Sequence, residues 1–469
     1  GYSFQREPAM NCEPGGVFGV HSDMSAKIDT SPVSDKIFIR FFRQIAQGGY
    51  PLFLTAIAAV LWANFSHSTY HAFWHTDFSF QIGQFTLSKS VAHWIDEALM
   101  AIFFFTVGLE IKRELLVGEL SSAKKAILPV MAAVGGMCVP AGLYYWINIG
   151  GDAVTGWGIP MATDIAFSLA ILRLLGTGTP FGLIIFLTAF AIVDDLGAIL
   201  IIAIFYTPEI QLTYLYIAAA FLSGLFAANR MWIRNPLVYI LLGIGLWCAV
   251  LGSGIHATIA GVITAMFIPA KGKYDTSTFV RTVRSHLAEF ECESDACGHS
   301  ILLNRTHQSA VLAIDVACRD VETPLSRLEH ALQSWVSLLI LPLFALANAG
   351  LVLKGMNLSE VAFHPICLGV FIGLFVGKPV GISLFTWLSL KLFKAELSPD
   401  VAWKDIVGVS FLGGVGFTMS LFITGLSFDS PEYLEYSKLG IISASILCGF
   451  VGFIILASSG KKRWMRIWK

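Results

Sequence analysis

Pro160-Met-Ala-Thr163-Asp164-Ile-Ala-Phe167, followed by Ala191-Ile-Val193-Asp194-Asp195-Leu-Gly197, decides how the chain is read. Three carboxylates sit inside sequence apolar enough to cross a bilayer. A charge near the bilayer centre costs at least about 2.5–3.5 kcal/mol on insertion scales. Asp194 and Asp195 are adjacent, with a mostly apolar run from Pro180 to Val193 before them and another from Leu196 to Phe205 after. The competing interpretation is a pair of helix-end carboxylates at the lipid–water boundary. Apolar flanks on both sides argue against it and favour a site that binds protons and cations within the membrane.

Working outward, 55% of the 469 residues are hydrophobic and 13% charged, against about 45–50% and 25% in soluble domains. The chain reads as a polytopic membrane protein. Its formal net charge of −1 makes no case for a nucleic-acid partner, and no cofactor is expected. Cys138, Cys248, Cys367 and Cys448 fall in apolar spans, where thiols act as small hydrophobes. Gly1 to Asp35 is polar without an apolar core, so it does not read as a signal peptide; a disordered tail is expected there.

A span needs about 20 apolar residues. That rule predicts an all-α polytopic fold of about twelve transmembrane helices, at roughly 49–66, 92–111, 126–148, 155–174, 180–206, 212–229, 236–251, 254–270, 334–353, 365–390, 405–427 and 437–458. Cytoplasmic loops are enriched in Lys and Arg. Basic residues cluster before the first span (Lys36, Arg40, Arg43) and after the second, sixth, eighth and tenth, while acids such as Asp77, Asp152, Glu209, Glu360 and Asp429 mark the other connections. The alternation places both termini in the cytoplasm. The divisions are a polar tail (1–37), spans one to eight (38–270), a long cytoplasmic insertion (271–333), spans nine to twelve (334–458) and a basic tail (459–469).

Residues 78–89 alternate apolar and polar around a Gly, a hairpin signature, here on the outer face. A lone hairpin is marginal in water, so its edges either pair with a second protomer or lie on their own chain. The insertion contains His286, Cys292, Cys297, His299, His307 and Cys318 without standard zinc spacing; it reads as a solvent-exposed segment with short helices near 281–290 and 310–319.

Two spans are interrupted alike. The fourth begins Gly156-Trp-Gly158-Ile-Pro160 and the eleventh carries Gly413-Gly414-Val-Gly416-Phe-Thr418. Such breaks in corresponding places point to a transporter site made from discontinuous helices, although Gly also serves ordinary close packing. A fourth intramembrane charge, Lys378, lies midway along the tenth span and needs a carboxylate partner among Asp164, Asp194 and Asp195. Adjacent helical residues differ by about 100°, so one of Asp194 and Asp195 faces the ion pathway and the other is free to pair with Lys378. Facing half-helix ends carry about ±0.5 charge. Asp164 near N-termini and Lys378 near C-termini would compensate them.

Ala162-Thr163-Asp164-Ile-Ala-Phe167, Val193-Asp194-Asp195-Leu-Gly197, Gly377-Lys378-Pro379, Gly108-Leu-Glu110-Ile-Lys-Arg-Glu114 and Ser253-Gly-Ile-His256-Ala-Thr258 together resemble the bacterial NhaA-type sodium/proton antiporters, over about residues 38–458 apart from the insertion. The resemblance implies twelve spans with inverted repeats, two broken crossing helices and a small extracytoplasmic β-hairpin that joins a homodimer. It implies an inner-membrane, multi-pass protein embedded in lipid that exchanges cytoplasmic Na+ or Li+ for external H+, electrogenically and under pH regulation. It assigns the cation and proton site to Asp194 and Asp195, which would ligate the transported Na+. It puts Thr163, Asp164 and Lys378 at the helix crossing as charge compensators. It assigns pH sensing to Glu110, Glu114, His256, Glu329 and His330. Two departures fall beside that sensor: the stretch before Arg327-Leu-Glu329-His330 is longer than the family pattern, and Ser334 stands where members can have His.

Other classes fit less well. A sodium-coupled symporter would need an organic-anion pocket. An intramembrane aspartyl protease would need Gly-x-Gly-Asp on a span, and the nearest look-alike, Gly150-Gly151-Asp152, is out of register in a loop. A passive channel needs no titrating carboxylate pair.

Overall fold

The computed structural model describes residues 49–82, 85–176, 179–207, 210–272, 275–288 and 305–467. The polar tail, Cys292, Cys297 and His299 lie outside the described residues. Sixteen labelled helices carry the fold: α1 Tyr50–Phe65, α2 His67–Trp74, α3 Met100–Val117, α4 Ala123–Ile147, α5 Ile165–Leu174, α6 Phe181–Phe205, α7 Leu212–Arg230, α8 Pro236–Ser253, α9 Thr258–Phe267, α10 Thr276–Ala288, α11 Arg305–Val321, α12 Pro324–Asn348, α13 Pro365–Leu392, α14 Trp403–Gly413, α15 Phe417–Ser427 and α16 Pro431–Ile467. A 3-10 segment, Asp152–Met161, precedes α5.

Seven of the described helices are long and apolar enough to cross a bilayer, or up to ten when each of three bent pairs counts as one. α9 is short and α3 ends in Glu110, Lys112, Arg113 and Glu114, so neither passes that test. The helix expected at 334–353 begins ten residues earlier, at Pro324. Its start is set locally: Thr323 accepts a hydrogen bond from the Ser326 amide at 3.1 Å and Pro324 occupies the first turn, where a missing N–H costs nothing. An apolarity rule misses this turn because Arg327, Glu329 and His330 lie on it. The first span stops at Phe65; α2 then turns away by 118°.

The expected hairpin is present. β1, Asp77–Ile82, pairs antiparallel with β2, Phe85–Ser90, in a register that sets Phe78 opposite Lys89 and Ile82 opposite Phe85. In the insertion, α10 and α11 overlie the two short helices predicted there and pack on each other.

Small residues set the closest helix approaches. Gly135 on α4 and Gly381 on α13 face each other so tightly that a Cβ on either would collide with the other's carbonyl. Pro140 meets Gly373 and Gly377 one turn further along the same seam. Without a hydrophobic drive between helices in lipid, such backbone contact and its van der Waals packing hold spans together. α3 meets α9 the same way, through Gly108 and Gly261. The largest buried cluster gathers Phe104, Tyr144, Phe344, Phe417 and Phe422 around the crossing of the broken segments.

Candidate functional site

Asp152–Met161 with α5, and α14 with α15, each bend by 41° at a short non-helical link. Breaking two helices in one place leaves N–H and C=O groups without intrahelical partners, and none can be left bare in a bilayer. Side chains close several of the exposed ends. Asp164 caps α5, its Oδ1 accepting from the Phe167 amide at 3.0 Å. Its Oδ2 accepts from the Thr418 amide at 3.0 Å and the Thr418 hydroxyl at 2.6 Å, at the start of α15. One carboxylate therefore accepts from donors at both N-termini.

The carbonyl ends divide differently from the sequence expectation. Lys378 donates to the Met161 carbonyl, at one C-terminal end only. The other end is closed by hydroxyls: Thr163 donates to the Gly413 carbonyl at 2.9 Å and Ser168 to Leu412 at 2.7 Å. Ser420 returns the arrangement, donating to Ile159 at 2.8 Å. The Asp164 amide donates to the Val415 carbonyl at 2.6 Å, tying link to link. Thr163 and Asp164 are both buried.

Beside this crossing lies α6 with the two adjacent carboxylates. Lys378 Nζ is 2.8 Å from Asp194 Oδ2, and both side chains are 0% exposed. The second Asp194 oxygen makes no hydrogen bond of good geometry, although Thr163 lies beside the carboxylate. Asp195 is 3% exposed, and no described residue donates a hydrogen bond or an ion pair to its side chain. The choice left open by helical geometry is thus made: Asp194 takes the ammonium, while Asp195 lies within electrostatic reach of Asp194, Glu110, Asp164 and Lys378.

The residues singled out for pH sensing do not form one group. Arg113 bridges Glu114 and Glu329 at 3.2 Å each, and Glu110 lies within electrostatic reach of all three. Glu114 also accepts from the Glu119 amide at 3.0 Å. Glu329 is buried, and His330 beside it is exposed. His256 stands apart, 3.8 Å from Glu97 and edge-on to Phe422. Thirteen helical residues separate Glu97 from Glu110, about 20 Å at 1.5 Å each. Three contributors escaped the sequence reading. Thr418 was visible only as part of a glycine motif, Arg113 only as a charged helix end, and Glu97 only as an acid inside a predicted span. Lys112, next to Arg113 in the chain, closes the end of α9 by donating to the Met266 carbonyl at 2.6 Å and to that of Ile268.

A buried carboxylate–ammonium centre at the crossing of two interrupted helices defines an integral membrane protein built around intramembrane charge. Residues 39–456 match the family described as Na+/H+ antiporter 1. A protein of Koribacter versatilis (strain Ellin345) described as Na(+)/H(+) antiporter NhaA is 47% identical over 420 residues, 89% of this chain and 90% of its own. One of Oleidesulfovibrio alaskensis with the same description is 44% identical over 422 residues, 89% of this chain and 93% of its own. The chain belongs to the NhaA-type Na+/H+ antiporter family.

Proposed function

We propose that the protein is a secondary active transporter exchanging cytoplasmic Na+ or Li+ for external H+ in the bacterial inner membrane, with Asp194 and Asp195 as the shared cation and proton site. The observation that carries this is the unequal use of three buried carboxylates. Asp164 is consumed by three donors at helix ends, and Asp194 is held by Lys378. Asp195 alone is uncommitted. A small hard cation takes oxygen ligands, and a carboxylate offers them only when ionised. The same oxygens bind a proton in its place, so the two ions exclude each other and are coupled without a separate gate. The proton on Asp195 and the one shared within the Asp194–Lys378 pair are both exchangeable against one sodium, which makes the exchange electrogenic.

Thr163, Asp164 and Lys378 hold the crossing and balance its charges; the metal bound at Asp194 and Asp195 is cargo. Arg113 with Glu110, Glu114, Glu329 and His330 forms the cytoplasmic pH-responsive cluster, and His256 with Glu97 a separate outer one. The architecture is twelve spans with both termini cytoplasmic, α3 and α9 completing the ten counted by length. The reciprocal Ser168–Leu412 and Ser420–Ile159 bonds support two inverted repeats. The 78–89 hairpin joins a homodimer. Everted vesicles carrying an imposed pH gradient test the activity: Na+ or Li+ should collapse the gradient and K+ should not. A gradient indifferent to Na+ overturns the proposal.

A further inference from the structure

α2 is two-sided. Tyr70 and Trp74 are buried, and the Tyr70 hydroxyl contacts the Leu346 carbonyl at 3.0 Å and the Ala347 carbonyl at 2.7 Å, near the end of α12. On the flank next to that buried edge His67, His71 and His75 are all exposed, each four residues from the next. Residues four apart on a helix are neighbours on one face. The rings of His71 and His75 lie stacked, 3.8 Å between centroids and 7° from parallel; His67 is 5.9 Å from His71 and tilted by 35°.

One hydrogen bond gives this stripe a chemistry. His75 Nδ1 lies 3.0 Å from the His71 carbonyl. A carbonyl oxygen only accepts, so Nδ1 carries the proton and the Nε2 lone pair is left facing outward. A ligating imidazole commonly has its other ring N–H fixed in this way by a carbonyl or carboxylate, which sets both tautomer and ring orientation. His71 makes no side-chain hydrogen bond to a described residue, so its nitrogens are available.

We propose that His71 and His75 form an exposed two-histidine chelate for a divalent transition-metal cation of the Zn2+, Ni2+ or Cu2+ class. Imidazole nitrogen suits these borderline ions. Two nitrogens each about 2.1 Å from a tetrahedral Zn2+ lie about 3.4 Å apart, close to the spacing of the stacked rings. The rings lie nearly parallel, so their lone pairs do not converge as they stand; with His75 held by its Nδ1 bond, the exposed His71 side chain must turn about χ1 and χ2 to bring a nitrogen to the same ion. Among the described residues no group of three or more His, Cys, Asp or Glu side chains is arranged to hold a metal; the site is bidentate, with water completing the shell and His67 one turn outside it. It is distinct from the transport site, where oxygen ligands suit Na+ and not these ions. Because α2 is pinned to α12 through Tyr70, an ion that stiffens α2 also stiffens that contact.

The test uses tag-free protein in detergent, titrated separately with Zn2+ against a chromophoric chelator and with Cu2+ by electron paramagnetic resonance. One equivalent should bind per chain, with two nitrogen couplings on Cu2+, and Zn2+ should raise the thermal midpoint by mass action. His71→Ala and His75→Ala should each weaken binding at least about tenfold, the scale on which even an orienting partner of a metal ligand matters, and should abolish the midpoint shift. His67→Ala should retain both. All three positions are exposed, so the metal-free midpoints should match the parent's. Absence of saturable binding in the parent, or equal binding in the parent and the His71 and His75 variants, overturns the proposal. A loss in His67→Ala as large as in the others overturns the two-ligand geometry.

Discussion

Lys378→Ala removes the one cation, among the described residues, in direct contact with the buried carboxylates of α6. The ammonium and Asp194 are both fully buried and 2.8 Å apart. Deleting Lys378 leaves the buried Asp194 carboxylate without a counter-charge, with only Thr163 beside it, and also bares the Met161 carbonyl at the end of a broken helix. Breaking a buried pair by removing one partner typically costs about 3–5 kcal/mol, which is a factor of about 10² to several thousand in the folding equilibrium. The thermal midpoint in detergent should fall clearly. The stranded carboxylate can shed its charge only by taking up a proton, so adding Asp194→Asn should recover part of the loss. Between groups in one network such coupling amounts to about 0.5–3 kcal/mol. The assay is a four-way cycle of midpoints for the parent, both single variants and the double variant. An unchanged midpoint in Lys378→Ala with transport abolished would make Lys378 a proton carrier rather than a charge balancer. A double variant whose loss equals the sum of the two single losses would show that the pair is not energetically coupled.

Asp194→Asn and Asp195→Asn should each abolish Na+-driven exchange in liposomes while the protein stays folded and inserted. In the parent, apparent Na+ affinity should weaken by up to about tenfold per unit of falling pH for each competing proton; affinity independent of pH, or exchange surviving in both variants, refutes the shared site. Deleting 275–322 should leave transport intact and shift its pH dependence: Gly272 abuts the Val321 backbone, so the ends are already together, and Arg327 joins that junction to α12 by donating to the Arg319 carbonyl at 3.2 Å. Loss of membrane insertion on deletion would count against it. At the start of α10, the Thr278 hydroxyl, the Thr278 amide and the Ser277 hydroxyl, the last two at 2.9 Å, hold the Asp275 carboxyl down at about 2. A depressed folded value means the cap stabilises α10 fully above the unfolded value near 4. It is lost as pH falls from about 4 toward 2; hydrogen exchange at Thr278 should be protected down to that window, and Asp275→Ala should remove the protection at every pH.

The broken segments were legible because Gly and Pro clusters and charges interrupt otherwise apolar runs, and the hairpin because its alternation is local. Pairing was not local. Lys378 and Asp194 are 184 residues apart, and helical periodicity narrows the choice between neighbouring carboxylates without making it. The start of α12 was hidden because its first turns are amphipathic, the one pattern an apolarity rule discards. The sharing of helix ends between a lysine and three hydroxyls was also unreadable, since Ser168 and Ser420 look like ordinary small residues until the opposing carbonyls are in place. The histidine stripe of α2 was spelled out at four-residue spacing, yet only the sharp turn after Phe65 shows which way it faces.

The bonds between the two interrupted segments have a mechanical consequence. Asp164 to Val415 and Thr418, Thr163 to Gly413, Ser168 to Leu412 and Ser420 to Ile159 stitch them at both links. In a medium without water each stitch pulled apart leaves a bare polar group costing several kcal/mol, and they would have to part together. Asp152–Leu174 and Trp403–Ser427 therefore travel as a single cross-shaped body. Any motion that exposes the Asp194–Asp195 centre first to one side and then to the other must slip along the mostly apolar seams around that cross, where a few bonds such as Lys378 to Met161 and Ser383 to Ser410 have to exchange, and not through its middle.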